Sequence, residues 1–166
     1  MNQRKKLFYI TVIIMPFISL LVINALETRS TNAENLNNNV FDKTTISIIS
    51  GNEEHNFVVE IADDQEKRAQ GLMFRKSLGK KEGMIFDFGI TTPIKMWMKH
   101  TYIPLDMVFI SENGDVADII PDTIPFSEAV LAPKIDTRYV LEISGGICNE
   151  LKINIGDKVK GDFFNK

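Results

Sequence analysis

The chain contains a single cysteine, Cys148, which excludes an internal disulfide framework and any cysteine-based zinc site. Stability must therefore come from a hydrophobic core. No cation flanks it in Gly145-Gly146-Ile147-Cys148-Asn149-Glu150, so Cys148 reads as a buried, unreactive thiol. Histidine is nearly as scarce. With only His55 and His100 available as bases and no Gly-x-Ser-x-Gly elbow, nucleophilic hydrolysis has little support. Phosphate-cradling glycine loops are missing, because Gly145-Gly146 alone is too short to make one. Basic charge is also in short supply, with 19 Lys and Arg against 22 Asp and Glu. Setting aside residues 1–33 removes Arg4, Lys5, Lys6, Arg29 and Glu27, leaving 15 bases against 21 acids, a net charge of −6. Such a domain lacks the clustered Lys and Arg that nucleic acid requires, and that class of partner is set aside.

What the chain does have is an ordinary globular composition, 44% apolar and 25% charged, enough for one domain in 166 residues. Arg4, Lys5 and Lys6 precede an almost uncharged run from Leu7 to Leu26, after which the sequence turns polar at Glu27. This order of basic start, apolar run and polar exit predicts a secretory signal peptide over residues 1–33, with Thr31-Asn32-Ala33 as the cleavage site. The same run, rising about 30 Å as a helix, would serve as an N-terminal membrane anchor if uncleaved. Either way the domain is expected outside the cytoplasm, periplasmic or extracellular, with membrane contact only through residues 7–26. Residues 34–43, rich in Asn, Thr and Glu, read as a disordered linker, and a single domain is expected over 44–166.

Within that domain β-branched runs alternate with turn signals. Thr45–Ile49 and Phe57–Ile61 flank Gly51-Asn52-Glu53-Glu54, a hairpin pattern. Asp63 with Glu66 three residues on predicts a capped short helix ended by Gly71. Strands are expected at Met84–Phe88, Leu105–Ile110, Val116–Ile120, Tyr139–Ile143 and Val159–Phe163, with a second short helix from Gly145 to Leu151. Three prolines interrupt residues 121–133, an irregular loop long enough to be a lid or a crossover. The expected class is mainly β: an antiparallel β sandwich or barrel, jelly-roll-like, with two short helices.

The distinctive stretch is Met96-Trp97-Met98-Lys99-His100-Thr101-Tyr102-Ile103-Pro104-Leu105-Asp106. Together with Gly71-Leu72-Met73-Phe74-Arg75, Gly83-Met84-Ile85-Phe86, Val140-Leu141-Glu142-Ile143, Gly145 and Gly156-Asp157, it resembles the pattern of a widespread prokaryotic family known as domain of unknown function 192. The resemblance covers about residues 56–163. It implies a compact antiparallel β sandwich and, commonly, export, and it brings no established reaction. His100 departs from the pattern, standing where the family usually has Asn.

Three chemistries are open. Asp106 and Glu142 both sit among apolar neighbours, where an ionised carboxylate costs several kcal/mol unless paired. Lys99, Arg75 and Arg138 are the available cations, and structural ion pairs are the plain explanation. If the two acids instead shared a cleft, they would suit a carbohydrate-active hydrolase. On an extended strand Met96, Met98 and His100 would share one face and offer soft ligands to periplasmic Cu(I), although methionine is as readily a core filler. The favoured reading needs neither catalysis nor a cofactor. It is an exported binding or accessory module that meets a small molecule, a glycan or a protein through Arg75, Trp97, Lys99, Thr101, Asp106 and Glu142.

Overall fold

Gly51 and Asn52 turn the chain between two β-branched runs, and the strands they join are β1 (Lys43–Ser50) and β2 (Glu53–Ala62), paired antiparallel. The computed structural model describes residues 41–165, which lie in one compact unit. The expected signal or anchor segment and residues 34–40 of the expected linker fall outside the described residues. After β2 come helix α1 (Gln65–Gln70), β3 (Glu82–Thr92), β4 (Leu105–Ile110), β5 (Val116–Ile120), β6 (Thr137–Ser144), helix α2 (Ile147–Glu150), β7 (Lys158–Lys160) and a closing 3-10 turn (Asp162–Asn165).

The mainly β class with two short helices holds. The layering differs from a sandwich: all seven strands form one sheet in the order β5-β4-β6-β3-β2-β1-β7. It curls until its edges meet, where Val116 N donates to Asp157 O, Gly156 N to Val116 O and Val159 N to Gly114 O, each at 2.8 Å. The pairing is also not wholly antiparallel, since β2 runs parallel to β3. A parallel return needs a crossover of a dozen or more residues, and residues 63–81 with α1 supply it.

The curl gives the sheet an inside and an outside. Ile46, Phe57, Ile85, Val108, Val116, Leu141 and Val159, one from each strand, pack in the enclosed core. On the outer face Met84, Phe86, Met107, Phe109 and Val140 form a second core, covered by Leu72, Ile94 and Met98. Both faces of β4 are therefore buried, which is why it reads as a continuous apolar run rather than an alternating one. Burying each large side chain of this kind is worth about 1.5–3 kcal/mol.

The cover over the outer face, residues 93–104, is not the strand expected for Met96–Thr101. Only Met96 makes a bridge, to Leu131, and the chain then turns at Lys99 and His100. The 121–133 loop braces this cover from behind. Met96 N donates to Leu131 O at 2.8 Å, Met98 N to Ser127 O at 2.9 Å, and Thr123 Oγ1 to Leu105 O at 2.8 Å and to Met98 Sδ at 3.1 Å. The loop is a strut for its neighbour, and none of its residues lines the cleft described next.

Candidate ligand-binding cleft

Three pieces of chain surround a cleft of about 250 Å³ on the outer face of the sheet. One wall is α1 and the residues after it. Asp64, one residue later than the sequence suggests, caps this helix by accepting from Lys67 N at 2.7 Å, and Gly71 ends it at φ 48°. The tight exit at Gly71 brings its Cα against the Phe86 ring, where a Cβ would lie 3.2 Å from Cζ. The opposite wall is the covering segment, with Lys95, Met96, Trp97, Lys99 and Thr101. Phe86, Phe88 and Glu142, from β3 and β6, also line the space.

Glu142 is the residue that sets this cleft apart. It is only 4% exposed, it lies between Met84 and Met107 on the neighbouring strands, and no side chain or backbone group among the described residues hydrogen-bonds or pairs with its carboxyl. Burial pushes its pKa up to about 8, so at neutral pH it is mostly an uncharged acid that can both donate and accept a hydrogen bond. A buried carboxyl left without a partner costs free energy that the fold has to offset elsewhere.

The mouth is positively charged. Arg68 Nη1 donates to the carbonyls of Asp63 at 2.8 Å and Asp87 at 2.7 Å, and its guanidinium lies 5.4 Å from the Phe88 ring centroid. Lys99 Nζ sits 5.5 Å from the ring of Trp97, which is half exposed, and Lys95 is exposed. Among the described residues none of the three pairs with a carboxylate.

Of the six residues expected to share a site, Trp97, Lys99, Thr101 and Glu142 converge on the cleft; Arg75 and Asp106 do not. Arg75 is taken up by an ion pair with Glu60 of β2. Asp106 is fully buried on the enclosed face, where it accepts from Asp122 N at 2.9 Å, Gly146 N at 3.0 Å and Cys148 N at 2.7 Å. In the register of β4 against β6, Met107 lies opposite Glu142 and Asp106 opposite Ile143, so the two acids point to opposite faces of the sheet. The paired-carboxylate arrangement of a glycosidase is therefore not formed. The thiol of Cys148 is held well above its ordinary pKa by burial and by the Asp106 carboxylate, in keeping with an unreactive cysteine.

The Met96-Met98-His100 face dissolves with the strand that would have carried it. Met98 is fully buried with its sulfur accepting from Thr123, and Met96 is partly buried beside the same core. His100 is exposed and stacks on Phe74 with ring centroids 5.3 Å apart. Its φ of 55° is left-handed, a conformation that Asn and His tolerate better than most side chains. The departure from Asn at this position thus has a backbone explanation.

Arg68, Lys95 and Phe88 were missed from sequence, since they belong to no motif and only the crossover and the cover bring them to Glu142. A family model now fits this chain over residues 46–161, the DUF192 family, described as an uncharacterised ACR. The chain belongs to the DUF192 family. Curated DUF192 relatives include a UPF0127 protein from Pyrococcus horikoshii, 31% identical over 104 residues, covering 61% of this chain and 85% of its own. A second, from Pyrococcus furiosus, is 29% identical over the same length, with 61% and 84% covered. Among solved structures, a Sinorhizobium meliloti protein provisionally assigned as a transcription regulator superposes with a TM-score of 0.72 at 39% identity, covering 74% of this chain and 95% of that one. A Novosphingobium aromaticivorans protein of unknown function does so with 0.72 at 35%, covering 74% and 88%.

Proposed function

We propose that this DUF192 chain is a non-enzymatic binding module for a small molecule, seated in the cleft between α1 and residues 95–101. The observation that carries the reading is Glu142: a nearly fully buried carboxyl with no partner among the described residues, lining an open space. Perturbed, buried acids in clefts cluster at functional sites, and a ligand would supply the hydrogen bond that the fold withholds. Trp97 at the rim offers a flat apolar surface at low entropy cost. The volume falls below the roughly 300–1,000 Å³ of drug-sized sites, which favours a metabolite over a polymer or a protein segment. Catalysis has less support, because among the described residues no second carboxylate and no histidine lines the cleft with Glu142. Reading DNA, as the S. meliloti relative's provisional assignment would suggest, calls for a basic face that an acidic chain does not readily provide.

Trp97 is the only tryptophan in the chain, so its emission reports on the cleft directly. In a fluorescence titration of the full-length protein against small metabolites, a ligand should shift Trp97 emission, and Glu142→Leu should weaken binding by about tenfold or more. Leucine among Met84 and Met107 should leave the fold intact. Undiminished binding by Glu142→Leu, or a broad metabolite set that leaves Trp97 unaffected, would overturn the proposal.

A further inference from the structure

We infer that the ligand of this cleft is a small organic acid, its anionic group met at the mouth by Lys95, Lys99 and Arg68 and a hydrogen-bonding group at its other end reaching Glu142. The inference rests on the cleft being the binding site and names the chemistry that it takes.

Charge carries the argument. Several basic side chains elsewhere are paired with acids, as Lys67 is with Asp63, Lys80 with Glu150, Arg138 with Asp87 and Lys158 with Asp115. Lysines unpaired among the described residues, such as Lys76 and Lys160, do not gather around a cleft. At the cleft three cations converge and none pairs with a carboxylate among the described residues. In a chain of net charge −3 this is a local reversal of sign. Partly enclosed, low-dielectric walls focus such a field and raise the local concentration of small anions.

Two of the cations are also held in place. Arg68 spends Nη1 on two backbone carbonyls, which fixes the guanidinium and leaves its other N–H groups to meet a planar carboxylate or a phosphate oxygen. Lys99 Nζ lies 5.5 Å from the centre of the Trp97 ring, within cation–π range. Leu72, Phe86 and Trp97 also line the cleft, apolar surface suited to a carbon skeleton. Mostly uncharged at neutral pH, Glu142 does not repel an acid and can bond a hydroxyl, a carbonyl or an amino group. Inorganic phosphate alone would satisfy the mouth and leave Glu142 unmet.

The test is a Trp97-emission titration of the full-length chain with hydroxy acids, sugar acids, sugar phosphates and amino acids, each beside its uncharged amide or alcohol counterpart. Acids should bind at least about tenfold more tightly than their neutral counterparts. The double variant Lys95→Ala/Lys99→Ala should lose about tenfold or more of that affinity, and Lys80→Ala, a surface control, none. Added salt should weaken the acids selectively. Neutral counterparts that bind as well, in a manner sensitive to Glu142→Leu but not to the double lysine variant, would overturn the acid inference and leave the cleft as the site. Inorganic phosphate matching the organic acids would overturn it too. No binding by any compound would remove both readings.

Discussion

Glu142 and Asp106 are both carboxylates set in apolar strands, and their environments give them opposite behaviour. Glu142 has no compensating partner among the described residues. Its pKa in the folded protein, about 8, lies above the ordinary 4.5, so the native state holds a proton that the unfolded chain releases. The stability this protonated form brings is fully present below about pH 4.5 and is lost as pH rises towards 8, at up to about 1.4 kcal/mol per pH unit. Glu142→Gln removes the titration. Urea denaturation should show the variant near wild type at pH 5 and more stable by roughly 2–4 kcal/mol at pH 8. Parallel pH profiles for the two proteins would contradict this. Asp106 is compensated three times over by backbone N–H groups. Replacing it with alanine strands three donors in the protein and should cost about 3 kcal/mol or more, read from the same denaturation curves. A loss below about 1 kcal/mol would mean that water replaces the carboxylate. From the sequence the two residues looked alike, an acid among valines, leucines and methionines. What separates them is the register between β4 and β6, and a slip of one residue would put them on the same face. No local pattern encodes that register.

At the scale of elements, the legible parts were those defined by local chemistry. Strand β4 and strand β5 fall where continuous apolar or β-branched runs meet Asn113-Gly114, and the turn holds Gly114 at φ 84°. The Gly51-Asn52 hairpin and the exit of α1 at Gly71 are similarly local. Two features escaped. The parallel pairing of β2 with β3 depends on where a distant segment returns, and the covering segment resembles a strand by composition while being pinned as irregular chain by Ser127 and Leu131. Both shape the cleft, because the crossover that parallel pairing requires supplies one wall and the pinned cover supplies the other. The seam between the sheet edges rests on three backbone hydrogen bonds around Gly114, Val116 and Val159. A Cβ at Gly114 would lie 2.7 Å from Val159 O, at a φ that side chains rarely adopt. Gly114→Ala should cost about 2 kcal/mol or more and should speed amide exchange at Val116 and Val159 ahead of β3 and β6. Unchanged protection at the seam would show that closure tolerates the methyl group.

For the whole molecule, the balance of charge separates the candidate partners. The chain is acidic while the cleft mouth is basic, so small anions are attracted locally and a polyanion is repelled over most of the surface. Electrophoretic mobility of a random-sequence DNA duplex should be unaffected by micromolar full-length protein at physiological salt. A salt-sensitive shift would reveal a basic face in the folded molecule and would favour a regulatory role on DNA. The closed curl has a further consequence, for behaviour at high concentration. A sheet whose edge strands stand open is a template on which another chain can add a strand, the first step towards intermolecular β assembly. Here β7 is only three residues long and is bonded on one side to β1 and on the other to the turn before β5. Beyond Val116 the outer side of β5 runs only from 117 to 120, where Asp118 accepts from Lys134 N and lies near its ammonium. At its two ends the sheet therefore leaves only a four-residue, charge-marked edge on β5, a short template for another chain.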